Sequence, residues 1–159
     1  MAREDARILV VDDDRGLADM LVEYLSKFGY RAAAAYGGHE GLKRFKDDGF
    51  QIVIADLKMP DMDGMELMEK VKAIDRHVMV LVITGYGTID AAVKAIKAGA
   101  YDFISKPLEF KALEVIIERA LEHHTLFRRL GMFRGLTLAL IVSVPLWLIL
   151  GIVLAKLIK

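Results

Sequence analysis

The sequence predicts an α/β fold, in which helices wrap a five-stranded parallel sheet, followed by a C-terminal transmembrane helix. Short apolar runs alternate with segments of helical period in the first 125 residues, as in crossover α/β folds. A 20-residue stretch without charge lies near the C-terminus. The charges also divide: residues 1–125 carry 17 Lys and Arg against 22 Asp and Glu, whereas residues 126–159 carry five basic residues and no acidic one. The chain therefore has two parts of different character.

The apolar runs predict the strands. Each run is only four to six residues long, which is typical of buried strands. Because helical segments separate them, neighbouring strands are expected to be parallel and buried on both faces. The predicted strands are residues 7–11, 30–35, 51–55, 78–83 and 101–105.

Apolar residues at helical spacing predict the helices between these strands. The stripes are Leu17 to Phe28, Leu42 with Phe45, Met65 to Val71, and Ile89 to Ile96, and a fifth helix is expected after Pro107. Gly29, Gly49 and Gly99 each follow a stripe, where a helix commonly ends in a left-handed residue. These glycines therefore mark the predicted C-terminal ends of the first, second and fourth helices.

Polar residues follow four of the predicted strands. Asp12 and Asp13 come after the first strand, Asp56 after the third, Thr84 after the fourth and Lys106 after the fifth. Because the carboxyl ends of parallel strands share one edge of a sheet, we expect these side chains to lie together. They define the candidate site.

The acidic cluster predicts a cation. Carboxylates that converge in a buried place must become protonated or hold a positive ion. Ligands that are all oxygen favour Mg²⁺, and the absence of cysteine excludes thiolate metal sites. Lys106 adds a positive charge and Thr84 a hydroxyl donor beside Asp56, an arrangement suited to phosphoryl transfer onto a carboxylate.

Other acids and the histidines receive simpler interpretations. Asp14 and Asp61 are interpreted as solvated loop acids, and Asp63-Gly64 is predicted to shape a turn and the start of a helix. The four histidines lack the paired spacing of metal ligands and are interpreted as surface residues.

Four segments resemble one known family. VVDDD, IVIADLKMPDMDG, ITGYGTIDAAV and GAYDFISKPL resemble the receiver domain of two-component response regulators, especially receivers of enhancer-binding transcription activators, over about residues 5–125. The resemblance implies a flavodoxin-like sheet of order 2-1-3-4-5 with five helices. It also implies a signalling domain rather than an enzyme in the usual sense, with Mg²⁺-dependent self-phosphorylation and autodephosphorylation.

The resemblance implies roles for the acidic residues and for the loop beside them. Asp56 resembles the phosphoacceptor, Asp13 a direct metal ligand and Asp12 a ligand that acts through metal-bound water. Lys58 would provide its backbone carbonyl to the metal. Lys58 and Tyr86 also occupy positions that tune the access of hydrolytic water in this family.

The resemblance implies further roles on the fourth and fifth strands. Thr84 and Lys106 would bind the phosphoryl group, and Phe103 occupies the aromatic switch position. A peptide bond of the cis form is expected between Lys106 and Pro107. Phosphorylation would draw Thr84 toward the new charge and let Phe103 turn inward, which would reshape the surface of helix four, strand five and helix five.

The uncharged stretch from Leu136 to Ala155 is long enough to span a bilayer as a helix. A buried core helix is the alternative, but residues 1–125 look complete without it. We therefore predict a receiver domain at 1–125, a basic juxtamembrane linker at 126–134 that continues helix five, and a transmembrane helix with a short tail at 135–159, in which residues 135–158 contact the lipid bilayer. Basic residues flank the stretch on both sides, which favours a lipid-facing role over nucleic-acid binding: Arg128, Arg129, Arg134, Lys156 and Lys159.

The leading functional hypothesis is a single-pass, membrane-anchored response regulator, with its receiver on the cytoplasmic side of a bacterial-type inner membrane. Its phosphoryl donor would be a sensor histidine kinase or a phosphotransfer protein. Because no output domain follows the receiver in the sequence, the signal is expected to pass to a protein partner, either by direct contact or by a change in helix five transmitted to a membrane-bound partner. The alternatives are a phosphate sink or relay intermediate without its own output, and a structural anchoring module.

Overall fold

The computed structural model describes residues 3–85 and 89–125, and the five predicted strands form one parallel sheet there. The strand order is β2-β1-β3-β4-β5, as the resemblance implies. Each strand lies within one residue of its predicted range, and β3 and β4 extend to include Asp56 and Thr84. The strands are β1 Arg7–Val11, β2 Arg31–Ala35, β3 Ile52–Asp56, β4 Met79–Thr84 and β5 Asp102–Ser105.

The predicted helices connect these strands. A short 3-10 turn at Arg3–Asp5 precedes β1. Residues 110–125 are helical after β5 and are called α5 within this described range. The other helices are α1 Arg15–Lys27, α2 Gly38–Asp48, α3 Gly64–Ile74 and α4 Ile89–Lys97.

The helices cover both faces of the sheet. Side chains alternate along a strand, so Ile52 and Ile54 of β3 face one apolar cluster while Val53 and Ala55 face another. The first cluster contains buried residues of α1 and α5, and the second contains buried residues of α2, α3 and α4. This burial on both faces explains why β3 and β4 consist almost wholly of apolar residues.

The left-handed helix ends are confirmed at the three predicted glycines. Gly29, Gly49 and Gly99 have φ angles of 86°, 63° and 104°. Side chains other than glycine rarely adopt this backbone region. The glycines therefore end α1, α2 and α4 and turn the chain toward the next strand.

The apolar stripe of α4 predicts the helix correctly but does not face the core. Ile89 is 83% exposed, and Val93 and Ile96 are also exposed. Ala95 is the residue of this helix that packs into the interior. Helical periodicity thus identified the element without identifying its buried face.

Within residues 3–85 and 89–125, no helix combines the length and the apolar character that a bilayer crossing requires. The span predicted at residues 136–155, the linker predicted at 126–134 and Tyr86 all lie outside the described residues.

Candidate functional site

The predicted site residues meet at the carboxyl edge of the sheet. Strand register places Val11 beside Ala55, Asp56 beside Ile83 and Thr84 beside Ser105. The segments that continue from β1 and β5 therefore reach the edge where β3 and β4 end. In parallel sheets, this edge is the usual position of a ligand site.

Lys106 joins two of the carboxylates. Its Nζ lies 3.0 Å from Asp12 Oδ2 and 3.2 Å from Asp56 Oδ2. Asp12 is 3% exposed and Asp56 is 9% exposed, so water screens these contacts only weakly. Burial would lower the pKa of Lys106, but its hydrogen bonds and charge attraction with Asp12 and Asp56 outweigh burial and raise it. Lys106 is therefore a permanent cation at physiological pH.

Burial makes the charged form of the Asp12 side chain less favourable. Burial raises the pKa of its carboxyl above the ordinary value, although the amide of Asp14 and the ammonium of Lys106 act in the opposite direction. The Asp14 backbone N–H donates to Asp12 Oδ1 at 2.9 Å. A further positive charge at this place would stabilise the carboxylate form.

The three acids fit a divalent cation. Carboxylate oxygens of Asp12, Asp13 and Asp56 all lie within 4.8 Å of one another. When all three are ionised, the single ammonium of Lys106 leaves two negative charges uncompensated, which is the charge that a divalent ion neutralises. The donors are all oxygen, the ligand type that Mg²⁺ prefers.

Asp56 Oδ1 supports this fit independently. It is buried and accepts no hydrogen bond from any residue that the structure describes, whereas Oδ2 accepts one from Lys106. An unsatisfied buried acceptor is costly unless a ligand completes it. One oxygen of Asp56 is thus held by the protein and the other is available to a metal or a reacting group.

Thr84 and Lys106 are held together by the backbone. Thr84 is buried at the end of β4, and its carbonyl oxygen accepts a hydrogen bond of 2.9 Å from the Lys106 N–H. The peptide bond between Lys106 and Pro107 is cis. The hydrogen bond between the ends of β4 and β5 fixes the backbone from which the Lys106 side chain starts.

Phe103 lies within β5, and Lys58 follows the end of β3. Phe103 pairs with Val82 in the sheet register and is half-buried against the core cluster of α2, α3 and α4. Lys58 is exposed, two residues after Asp56. The Leu57 N–H still donates to the carbonyl of Ile83 at 2.8 Å, so the chain leaves the sheet at Lys58.

Two acids interpreted as solvated loop residues also have structural partners. The Asp14 carboxylate caps α1 by accepting from the Leu17 N–H at 3.1 Å, and Asp61 binds the start of α2. Both are exposed loop residues, as interpreted, but each also caps a helix, a role that the interpretation missed. Asp14 lies directly before a helix, a signal that could have identified it as a cap. The prediction for Asp63 is confirmed, because it caps α3 through the Glu66 N–H at 2.8 Å.

The fold and the site define a phosphoryl-accepting signalling domain of the α/β class. The family "Response regulator receiver domain" matches residues 8–118, and the chain belongs to this family. Receiver domains accept phosphoryl groups from histidine kinases and bind Mg²⁺ at an acidic pocket. The acidic cluster of Asp12, Asp13 and Asp56 is the corresponding pocket here.

Curated relatives include regulatory proteins much longer than the matched region. The transcriptional regulatory protein ZraR of Salmonella typhimurium is 38% identical over 123 residues, which cover 77% of this chain and 28% of ZraR. The regulatory protein AtoC of Escherichia coli is 32% identical over 116 residues, covering 73% of this chain and 25% of AtoC. The matched part of the chain thus spans about a quarter of the length of these relatives.

Solved structures agree with the fold. A response regulator receiver domain protein from Clostridium thermocellum superimposes with a TM-score of 0.73 at 32% identity, covering 77% of this chain and 98% of that one. NtrX from Brucella abortus superimposes with a TM-score of 0.75 at 35% identity, covering 79% of this chain and 29% of that one. The similarity therefore lies in the receiver region.

We expect Asp12→Asn to raise the free energy of unfolding of the metal-free protein at neutral pH. The folded protein disfavours the charged carboxylate because burial raises the pKa of Asp12, and asparagine removes that cost. As the pH falls through the raised pKa, the unsubstituted protein should regain the difference. Below the ordinary value of 3.8, Asp12 is protonated in both folded and unfolded chains, so the difference should vanish.

Urea denaturation with a chelator, from about pH 7 to about pH 3.5, measures this difference in free energy. Asp13→Asn is the matched control, because Asp13 belongs to the same cluster but is exposed. A metal-free Asp12→Asn protein that is less stable than the unsubstituted protein at pH 7 would show that Lys106 and Asp14 outweigh burial.

Proposed function

We propose that the chain receives a phosphoryl group on Asp56 from a phosphohistidine of a sensor histidine kinase or a phosphotransfer protein. The observation that carries this proposal is the asymmetry of the Asp56 carboxylate, with Oδ2 bound by Lys106 and Oδ1 buried without a described partner. An oxygen of Asp56 attacks phosphorus, the phosphorus–nitrogen bond breaks, and the imidazole nitrogen keeps the electron pair. The product is an acyl phosphate on Asp56.

The residues around Asp56 would divide the work of positioning and charge neutralisation. Asp13, Asp56 and the backbone carbonyl of Lys58 would bind Mg²⁺ directly, and Asp12 through water. The bound ion would neutralise charge on the phosphoryl oxygens. The Lys106 ammonium, already 3.2 Å from Asp56 Oδ2, and the Thr84 hydroxyl would bind the remaining oxygens. Because these groups are fixed before the reaction, little reorganisation is needed.

The signal would leave through Thr84 and Phe103. Thr84 would move toward the new negative charge, and Phe103 would turn from its half-buried position into the space that Thr84 vacates. Thr84 ends β4, and Phe103 lies on the neighbouring strand β5, two residues before Ser105, which pairs with Thr84. The changed surface of α4, β5 and α5 would then bind a protein partner. Lys58 and Tyr86 would tune the rate at which water ends the signal.

The C-terminal region would anchor the receiver at the inner membrane. Leu136 to Ala155 contains 20 residues without a charge, and basic residues flank it on both sides. With the receiver on the cytoplasmic side, the protein would be confined near membrane-bound kinases and partners. Confinement of this kind raises the effective concentration without adding a contact.

Asp56→Asn is expected to abolish phosphorylation. With Mg²⁺ and acetyl phosphate as donor, the unsubstituted protein should gain one phosphoryl group, because Asp56 offers the attacking oxygen. Intact-protein mass spectrometry measures the gain. Asp47→Asn removes an exposed acid of α2 and should leave labelling unchanged. Labelling that persists in Asp56→Asn would reject Asp56 as the acceptor.

The full-length chain is expected to stay in the membrane fraction of expressing cells after a wash with high salt. An apolar helix within the bilayer is held by the hydrophobic effect, which salt does not weaken, whereas ionic contacts with headgroups are screened. A chain truncated after residue 125 is the matched control and should be found in the supernatant. Release of the full-length chain by salt would contradict the anchor.

A further inference from the structure

Helix α2 begins without a side-chain cap of its own. Its N-cap residue is Gly37, which has no side chain to accept the first helical N–H groups. Asp61, from the loop 57–63 after β3, accepts them instead. Its Oδ1 accepts from the Gly38 N–H at 3.0 Å, and its Oδ2 accepts from the His39 N–H at 2.9 Å. His39 Nδ1 lies 3.2 Å from the same Oδ2.

Two glycines allow this close approach. A Cβ atom at Gly37 would lie 2.9 Å from Asp61 Oδ2, and a Cβ atom at Gly38 would lie 2.6 Å from the Met62 carbonyl oxygen. Both distances are too short for a real side chain. The start of α2 therefore packs directly on the loop, and this contact requires glycine at positions 37 and 38.

The same loop is fixed at its two ends by the sheet and by α3. The Leu57 N–H donates to Ile83 O at 2.8 Å, and the Gly64 N–H donates to Leu57 O at 3.0 Å. Gly64 lies so near the strand that a Cβ atom there would collide with the carbonyl oxygen of Asp56. Between these ends, the Asp61 carboxylate connects the loop to a second helix.

Asp61 is suited to a permanent connection. Burial alone would raise the pKa of its carboxyl, but the backbone N–H groups of His39 and Gly38 and the side chain of His39 lower it to about 2. The carboxylate is therefore charged at every physiological pH. Its position at the N-terminus of α2 also places it at the positive end of the helix dipole.

We propose that Asp61 is a positioning residue for the metal site: by tying the loop 57–63 to the start of α2, it fixes the backbone of the loop from which Lys58 offers its carbonyl to Mg²⁺. This inference rests on the proposed function, because it needs the metal site at Asp56. The rigidity of the metal site would then depend on α2, a helix that supplies none of the proposed ligands. Asp61 acts through the loop and touches neither the metal nor the phosphoryl group.

The test is the affinity of the full-length chain for Mg²⁺, with Asp61→Ala and Asp61→Asn compared with the unsubstituted protein. Mg²⁺ is titrated alone, and the shifts of the amide resonances near Asp13, Asp56 and Lys58 report binding. Loss of a residue that orients metal ligands weakens affinity by roughly tenfold or more, and we expect this for Asp61→Ala. Asp61→Asn keeps one acceptor oxygen and should lie between. Asp47→Ala removes an exposed acid of α2 and should bind Mg²⁺ as the unsubstituted protein does.

Two further measurements separate positioning from a general loss of stability. The amide hydrogens of Gly38 and His39 should exchange faster in Asp61→Ala, because their acceptor is gone. Labelling by acetyl phosphate should return to the unsubstituted rate when Mg²⁺ is raised to saturation, since Thr84 and Lys106 are untouched. A variant that was merely less stable would show a lower melting temperature with an unchanged dissociation constant for Mg²⁺.

An unchanged dissociation constant in folded Asp61→Ala would overturn the inference and leave the proposed function intact. If Asp61→Ala fails to fold, Asp61→Asn decides by the same criterion. If the unsubstituted protein neither binds Mg²⁺ nor accepts a phosphoryl group, the proposed function is itself wrong, and the inference fails with it.

Discussion

The position of the Lys106 ammonium between Asp12 and Asp56 is the interaction on which the rest of the site depends. Two buried carboxylates that lie so near each other must either become protonated or have a cation beside them. Lys106 reaches both, at 3.0 and 3.2 Å. It compensates one charge, so the three-acid cluster keeps an affinity for a further cation. Asp56 Oδ1 takes no part in this contact and has no hydrogen-bond partner among the described residues.

The fold serves this arrangement by bringing distant parts of the chain to one edge. Asp12 and Lys106 are 94 residues apart in sequence, and the sheet order β2-β1-β3-β4-β5 places β3 next to both β1 and β4. Glycines then let the backbone close around Asp56. Gly64 packs on the carbonyl of Asp56, and Gly38 packs on the loop that follows. The acid is thus held by the sheet, by α3 and, through Asp61, by α2.

Much of the fold and of the site could be predicted from the sequence, because strands that are buried on both faces consist almost wholly of apolar residues. The apolar runs of β3 and β4 are buried at every position, so their ends were visible as the first polar residues, Asp56 and Thr84. The convergence of Asp12, Asp56 and Lys106 followed from the rule that parallel strands share a carboxyl edge. The resemblance to receiver domains supplied the strand order, and the structure confirms it.

The features that the sequence did not predict depend on contacts between distant parts of the chain, which local sequence patterns do not show. Asp61 caps a helix that begins 23 residues earlier in the chain, so the usual rule of a cap directly before its own helix could not find it. A helix that starts at Gly37-Gly38 without a capping side chain was the available signal, since its first N–H groups must find acceptors elsewhere. Apolar residues at helical spacing likewise predicted α4 but could not show that Ile89 is 83% exposed. Such spacing shows that apolar residues share one face of a helix, but not whether another element packs on that face.

The central claim is that this edge of the sheet directs a phosphoryl group to one carboxylate. The most direct measurement is to reduce the phosphorylated protein with borohydride, which converts an aspartyl phosphate to homoserine, and to locate the product by tandem mass spectrometry. We predict homoserine at position 56 and unmodified aspartate at positions 12 and 13, although all three acids lie within 4.8 Å of one another. Homoserine at either neighbouring acid, or phosphate that resists reduction because it is held on another residue type, would contradict it.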